Sequence, residues 1–168
     1  MTNLFMKSYA DISDCGKHRY TLTREWGQGP HCIFIMLNPS TADAVNDDPT
    51  IRRCIGFAKR EGKTGLTVIN LYSLRTPHPE VLWNTNRPER FGPRQDAYWQ
   101  KVLTNSQSLV IAAWGAEAVT HDRELVDRVG YYLGHRLMCF GKTKSGQPRH
   151  PLYLRADAAL IQYMAILV

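Results

Sequence analysis

The chain lacks any apolar stretch approaching the roughly 18 residues that a membrane-spanning helix requires. Its first residues, MTNLFMKSYADISD, lack the long apolar core of a secretion signal. The four cysteines, Cys15, Cys32, Cys54 and Cys139, form no CxxC pair and show no zinc-like spacing with histidine. Cys32, Cys54 and Cys139 sit among apolar neighbours, which reads as buried free thiols rather than ligands. Internal repeats, low-complexity tracts and basic runs of the nuclear-localisation kind are also missing. These absences lead to the expectation of a reduced, cytoplasmic protein without a membrane segment, a metal or a cofactor.

What remains is an ordinary globular composition over 168 residues, enough for one domain that buries roughly 70% of its unfolded surface. Lysine and arginine outnumber aspartate and glutamate by 21 to 15, for a formal charge of +6 and a pI near 9.3. This balance fits either a merely positive solvated surface or an anionic partner such as nucleic acid, nucleotide or phosphate.

The most informative stretch runs from Cys32 to Thr50. The apolar run Ile33-Phe34-Ile35-Met36-Leu37 stops abruptly at Asn38-Pro39-Ser40-Thr41-Ala42-Asp43. A short apolar run bounded by turn residues reads as a buried strand. Polar groups directly after such a strand lie at its carboxyl end, where open α/β sheets bind ligands. Asp47-Asp48-Pro49-Thr50 then offers an N-cap carboxylate with proline at the first helical position.

The remaining pattern alternates. Residues 19–26 alternate as a strand, and Gly27-Gln28-Gly29-Pro30 reads as a turn pairing it with the strand at 32–37 in an antiparallel edge hairpin. A helix is expected from Pro49 to about Arg60, then a buried strand over 66–71 and a long irregular segment over 73–92. A helix over about 93–105, a strand over 109–114, a helix over 116–132 and a strand over 136–141 follow. A polar loop over 142–151 and an amphipathic helix over 157–167 complete the series. Such alternation implies a mostly parallel four-stranded sheet covered on both faces, with the antiparallel edge strand beside it. The strand ends are expected to bring Asn38, Asn70, Trp114 and the 142–150 loop together.

The motifs LNPSTADAVNDDPTIRR (37–53), INLYSLR (69–75), AAWG (112–115) and GQPRHPLYL (146–154) resemble the bacterial and phage family called domain of unknown function 1643. More distantly, their order is similar to the uracil-DNA glycosylase superfamily, especially its mismatch-specific branch. That resemblance implies a three-layer α/β/α sandwich and cleavage of an N-glycosidic bond. It places Asn38-Pro39 where the residue positioning the attacking water stands, and Asn70 where an asparagine reads the base edge. Trp114-Gly115-Ala116 matches a third strand end, and His150-Pro151 matches a loop that touches the leaving base and the DNA backbone. Leu152 replaces the serine that follows in those enzymes, and Ser40-Thr41-Ala42-Asp43 departs from their pattern.

The residues themselves allow the same chemistry. Asn38 is too weak a base to deprotonate water but can orient it toward an anomeric carbon, while His150 donates a hydrogen bond to a departing base. Asp43 is read as a carboxylate assisting that water. Ser40 and Thr41 offer hydroxyls for a phosphate or a base edge, and Asp48 can do so beside its capping role. Arg52, Arg75, Lys142 and Arg149 are read as substrate or phosphate contacts, with Asn70 and Trp114 on the base. Tyr72 and Trp83 are further stacking candidates. Two other classes stay open: a non-catalytic nucleic-acid-binding or sensing domain, and a metal-dependent hydrolase using Asp43, Asp47 and Asp48.

Overall fold

A computed structural model describes residues 6–104 and 107–163. Seven strands form one mixed sheet among them: β1 (Lys7–Ile12), β2 (Arg19–Glu25), β3 (His31–Met36), β4 (Gly65–Asn70), β5 (Leu109–Ala112), β6 (Leu137–Cys139) and β7 (Ile161–Gln162). Their order is β1-β2-β4-β3-β5-β6-β7. The central four, β4, β3, β5 and β6, run parallel, whereas β1, β2 and β7 are antiparallel to their neighbours. The parallel quartet matches the four apolar runs. The sheet is wider than the five strands expected, because β1 and β7 also join it.

Alternation along the central strands sorts side chains between two cores. Cys32, Phe34 and Met36 pack with Leu66 and Val68 against α1 (Pro49–Arg60), whose Ile51, Cys54 and Phe57 face inward. Ile33, Ile35, Ile69 and Val110 point to the opposite face. There they meet Leu82 of α2 (Pro79–Asn84), Leu103 of α3 (Gln95–Leu103), Ala118 of α4 (Glu117–His121) and Val126 and Val129 of α5 (Arg123–Leu133). Strands buried on both faces are apolar at every position, which explains the unbroken runs. Cys32, Cys54 and Cys139 are fully buried free thiols. Burial pushes the Cys32 thiol up to about 12. Phe34, Leu103 and Tyr163 are core residues, and Ile55 packs at the margin of the α1 cluster.

Three sequence expectations are corrected. The hairpin between 19–26 and 32–37 does not form, because β2 pairs with β4 and β4 separates it from β3. The Gly27–Pro30 segment bridges instead of turning. The amides of Trp26 and Gly27 donate to the Thr64 carbonyl, and Thr64 donates back to Pro30. Gly29, at φ 145°, passes so close to Thr64 that a Cβ there would stand 3.2 Å from its hydroxyl oxygen.

The single helix over 116–132 is two helices joined at Asp122, whose non-helical backbone ends α4 and whose carboxylate caps α5 by accepting from the Leu125 amide. The helix over 157–167 is absent as far as Tyr163. There β7 pairs with the open edge of β6, and the Tyr163 amide donates to the Leu137 carbonyl. Residues 164–167 of that helix lie outside the described residues. The segment over 73–92 also contains α2 and a 3-10 turn, Arg87–Arg90, each begun by proline in its first turn.

Candidate functional site

At the carboxyl ends of β3, β4 and β5 lies a cavity of about 330 Å3. Asn38, Ser40, Asp48, Asn70, Trp114 and His150 all line it, although up to 112 residues separate them in sequence. The expected convergence of Asn38, Asn70, Trp114 and the loop ending at His150 is therefore present. A second hollow of about 480 Å3 lies between α3 and α5 and contains none of the expected residues. Its arginines, Arg87 and Arg128, are already paired with Asp122 and Glu124. The smaller cavity is the better candidate because open polar groups converge on it.

Asn38 follows the last residues of β3 and fastens two loops. Its amide nitrogen donates to the carbonyls of Pro39 (3.0 Å), Leu74 (3.3 Å) and Thr76 (2.9 Å). The nitrogen is thereby fixed, and the amide oxygen takes no hydrogen bond from the described residues. Asn70 ends β4 and is only 3% exposed, yet among the described residues its buried Oδ1 has no partner. An unpaired carboxamide oxygen costs about 1–3 kcal/mol when buried, a penalty that a ligand donor would relieve.

His150 caps the 3-10 turn Pro151–Tyr153, with its Nδ1 accepting from the Leu152 amide at 3.3 Å. That bond places the proton of a neutral imidazole on Nε2, which remains a donor. Burial pushes the His150 imidazolium below the ordinary histidine value, against the opposing pull of the Asp48 carboxylate. The loop carrying His150 rests on Gly115, which has φ 80° and donates its amide to the Pro148 carbonyl at 3.0 Å. A Cβ on Gly115 would meet the His150 Cβ at 3.8 Å, and the positive φ is what disfavours any other residue there.

Asp48 lines the cavity while capping α1, accepting from the Ile51 amide at 2.9 Å. Trp114 lines it too but is 1% exposed, held by Gln147 and by an edge-on contact with Tyr163. It is a wall of the cavity and offers little face for stacking.

Other expected site residues lie elsewhere. Asp43 is not a cavity residue. Its carboxylate accepts from the Val45 and Asn46 amides at 2.8 Å each, an arrangement typical of a turn. Those amides hold its carboxyl below the usual carboxylate range. Asp47 pairs with Arg24, so the three carboxylates of the metal reading each have a different structural partner. Among the described residues no three His, Cys, Asp or Glu side chains form a metal-binding group.

Thr41 is exposed outside the cavity, Arg52 donates to the Asp47 carbonyl, and Arg75 donates to the Gly16 carbonyl. The Lys142 ammonium lies over the Tyr163 ring, while Arg149 donates to the Lys142 carbonyl. Tyr72 is wholly buried and donates to Asp122, and Trp83 stacks on His121.

Of the cavity residues that the sequence does not mark, two bear on its chemistry. Tyr153, 79% exposed, stands at the rim with its ring centroid 5.8 Å from that of His150. Its only signal in the sequence is an aromatic three residues after the loop histidine. Arg19, on β2, is 3% exposed and donates to the Ala42 carbonyl at 2.8 Å. Nothing in RYTLTREW separates a buried arginine from a surface one, so the sequence marks Arg19 only as a strand residue.

Fold and cavity together define an α/β protein with a ligand-sized hollow at the carboxyl edge of a parallel sheet core. The chain belongs to the family described as protein of unknown function (DUF1643), whose model matches residues 19–152. No curated protein and no solved structure matches the chain. No helix among the described residues is long and apolar enough to cross a membrane.

Proposed function

We propose that this protein is glycosylase-like, recognising a base or modified base in DNA or a nucleotide and hydrolysing its N-glycosidic bond. The arrangement fits a three-layer sandwich of the uracil-DNA glycosylase kind, with nucleic acid or nucleotide as partner. The observation that carries this reading is the meeting of Asn38, Asn70 and His150 around one cavity, with the Asn70 amide oxygen unpaired.

In this mechanism the base enters the cavity, after flipping from the stack if the substrate is duplex DNA. Asn70 reads its edge and Tyr153 covers a face. The C1′–N bond breaks with its electron pair moving onto the base, where His150 Nε2–H stabilises the developing charge. A water held by the Asn38 amide oxygen adds to C1′, and its proton leaves with the base. Catalysis here is positioning and charge stabilisation, with no strong general base beside Asn38.

A second reading is binding without cleavage. It is favoured by the engagement of both cavity carboxylates, Asp48 with the Ile51 amide and Glu117 with Trp83 Nε1. Incubation with DNA and nucleotides carrying varied modified bases, scored for abasic sites and free base, separates the two. Release that disappears in Asn38→Ala and His150→Ala supports catalysis. Binding without release supports the module, and absence of both removes the base-recognition reading.

A further inference from the structure

Arg19 is a buried cation with no contact ion pair among the described residues. Among the described residues no carboxylate oxygen forms an ion pair with it, its Nε has no partner, and its only side-chain hydrogen bond is to the Ala42 carbonyl. Nearby Arg24, also buried, differs: Asp47 accepts from it at 2.8 Å, as do surrounding carbonyls. A buried charge lacking a counter-ion is strongly destabilising unless something else completes it. Burial lowers Arg19 to about 10, opposed chiefly by Asp48, so the guanidinium still carries its charge at neutral pH.

Its position says what would complete it. Arg19 lines the same cavity as Asn70, with Ser40, Thr50 and the first turn of α1 beside it. Hydroxyls and a guanidinium are donors suited to the several acceptor oxygens of a phosphate. Exposed lysines and arginines contact duplex phosphates from outside, whereas a guanidinium 3% exposed is reached only by a group that enters the cavity.

We propose that the cavity binds a nucleoside 5′-monophosphate, its phosphate paired with Arg19 and its base edge with Asn70. This assignment rests on the base-recognition reading and narrows its substrate from DNA or a nucleotide to a mononucleotide.

Calorimetric titration of the full chain tests it with deoxynucleoside 5′-monophosphates, the matching deoxynucleosides, inorganic phosphate and single-stranded oligonucleotides. At least one monophosphate is expected to bind about tenfold or more tightly than its nucleoside and than inorganic phosphate. Arg19→Gln, checked for folding by its thermal transition, is expected to reduce monophosphate affinity to the nucleoside level while leaving nucleoside affinity within about twofold. The wild-type comparison decides the matter even if that variant fails to fold.

Equal affinity for nucleoside and monophosphate overturns the phosphate assignment and leaves base recognition standing. Inorganic phosphate binding as tightly as every nucleotide overturns the proposal by removing base recognition, though Arg19 remains an anion site. Binding of oligonucleotides without monophosphates overturns it in favour of a polynucleotide ligand. Binding of none overturns both.

Discussion

The guanidinium of Arg24, on β2, meets the carboxylate of Asp47 with Nε and Oδ1 2.8 Å apart. Arg24 also donates to the carbonyls of Asp43 and Asn46, tying the loop after β3 to a strand two positions away in the sheet. This loop carries Ser40 and Asp48 into the cavity. Its shape is therefore held from behind, by a residue that does not line the cavity.

Arg24→Ala is expected to destabilise the protein by about 2–3 kcal/mol, because it removes the wholly buried partner of the half-buried Asp47 carboxylate and the donor to the Asp43 carbonyl. Equilibrium urea unfolding measures the loss. A change below about 0.5 kcal/mol, the range of ordinary surface substitutions, would show that the clamp contributes nothing.

Removing the His150 donor should lower base release by about a hundredfold, corresponding to roughly 3 kcal/mol of barrier stabilisation. Single-turnover release by His150→Ala against the wild type checks this. Asp43→Ala should leave the chemical step unchanged and loosen the loop instead, because the Val45 and Asn46 amides lose their acceptor, seen as faster proteolysis between Pro39 and Asp48. A loss of turnover matching that of His150→Ala would return Asp43 to the chemistry.

Tyr153→Ala should weaken nucleotide binding by about 1–3 kcal/mol, the range for loss of one stacked base, while Tyr153→Phe retains affinity. Fluorescence titration distinguishes them. Equal losses in both variants would assign the effect to the hydroxyl.

Stability should fall as the pH drops below about 6.5. Burial depresses both His18 and His150, with Lys17 adding to the effect at His18 and Asp48 opposing it at His150. Below the ordinary histidine value of 6.5 the unfolded chain takes up protons that the folded protein still refuses, so unfolding gains. The loss accumulates until the depressed folded values are passed. Thermal melts at pH 8 to 5 should show this slope, reduced in His150→Gln. An unchanged slope in that variant would remove His150 from the effect.

The four parallel strands were legible because strands covered on both faces have no polar side to show. The expected site residues of the cavity were legible for a related reason: polar residues that interrupt such runs have one sheet edge to occupy. β1 and β7 were not legible. No residue of β1 is buried, and β7 has only two residues, both exposed, so neither displays an apolar face. Arg19 and Arg24 were hidden because their burial depends on which strand β2 joins, and local sequence carries no information about β4 as that neighbour.

The arc over Thr64 also constrains the order of events as the polypeptide takes shape. β2 and β3 emerge within a dozen residues of one another but never touch as ladder neighbours; each completes its hydrogen bonds on a segment made some thirty or more residues later. Premature annealing of the first two would shut out the third and misassemble the sheet. The short glycine-bearing span holds open a slot one strand wide, so that residues 65–70 act as the keystone of the N-terminal half. Such non-local closure favours slow assembly, paced by the arrival of that insert.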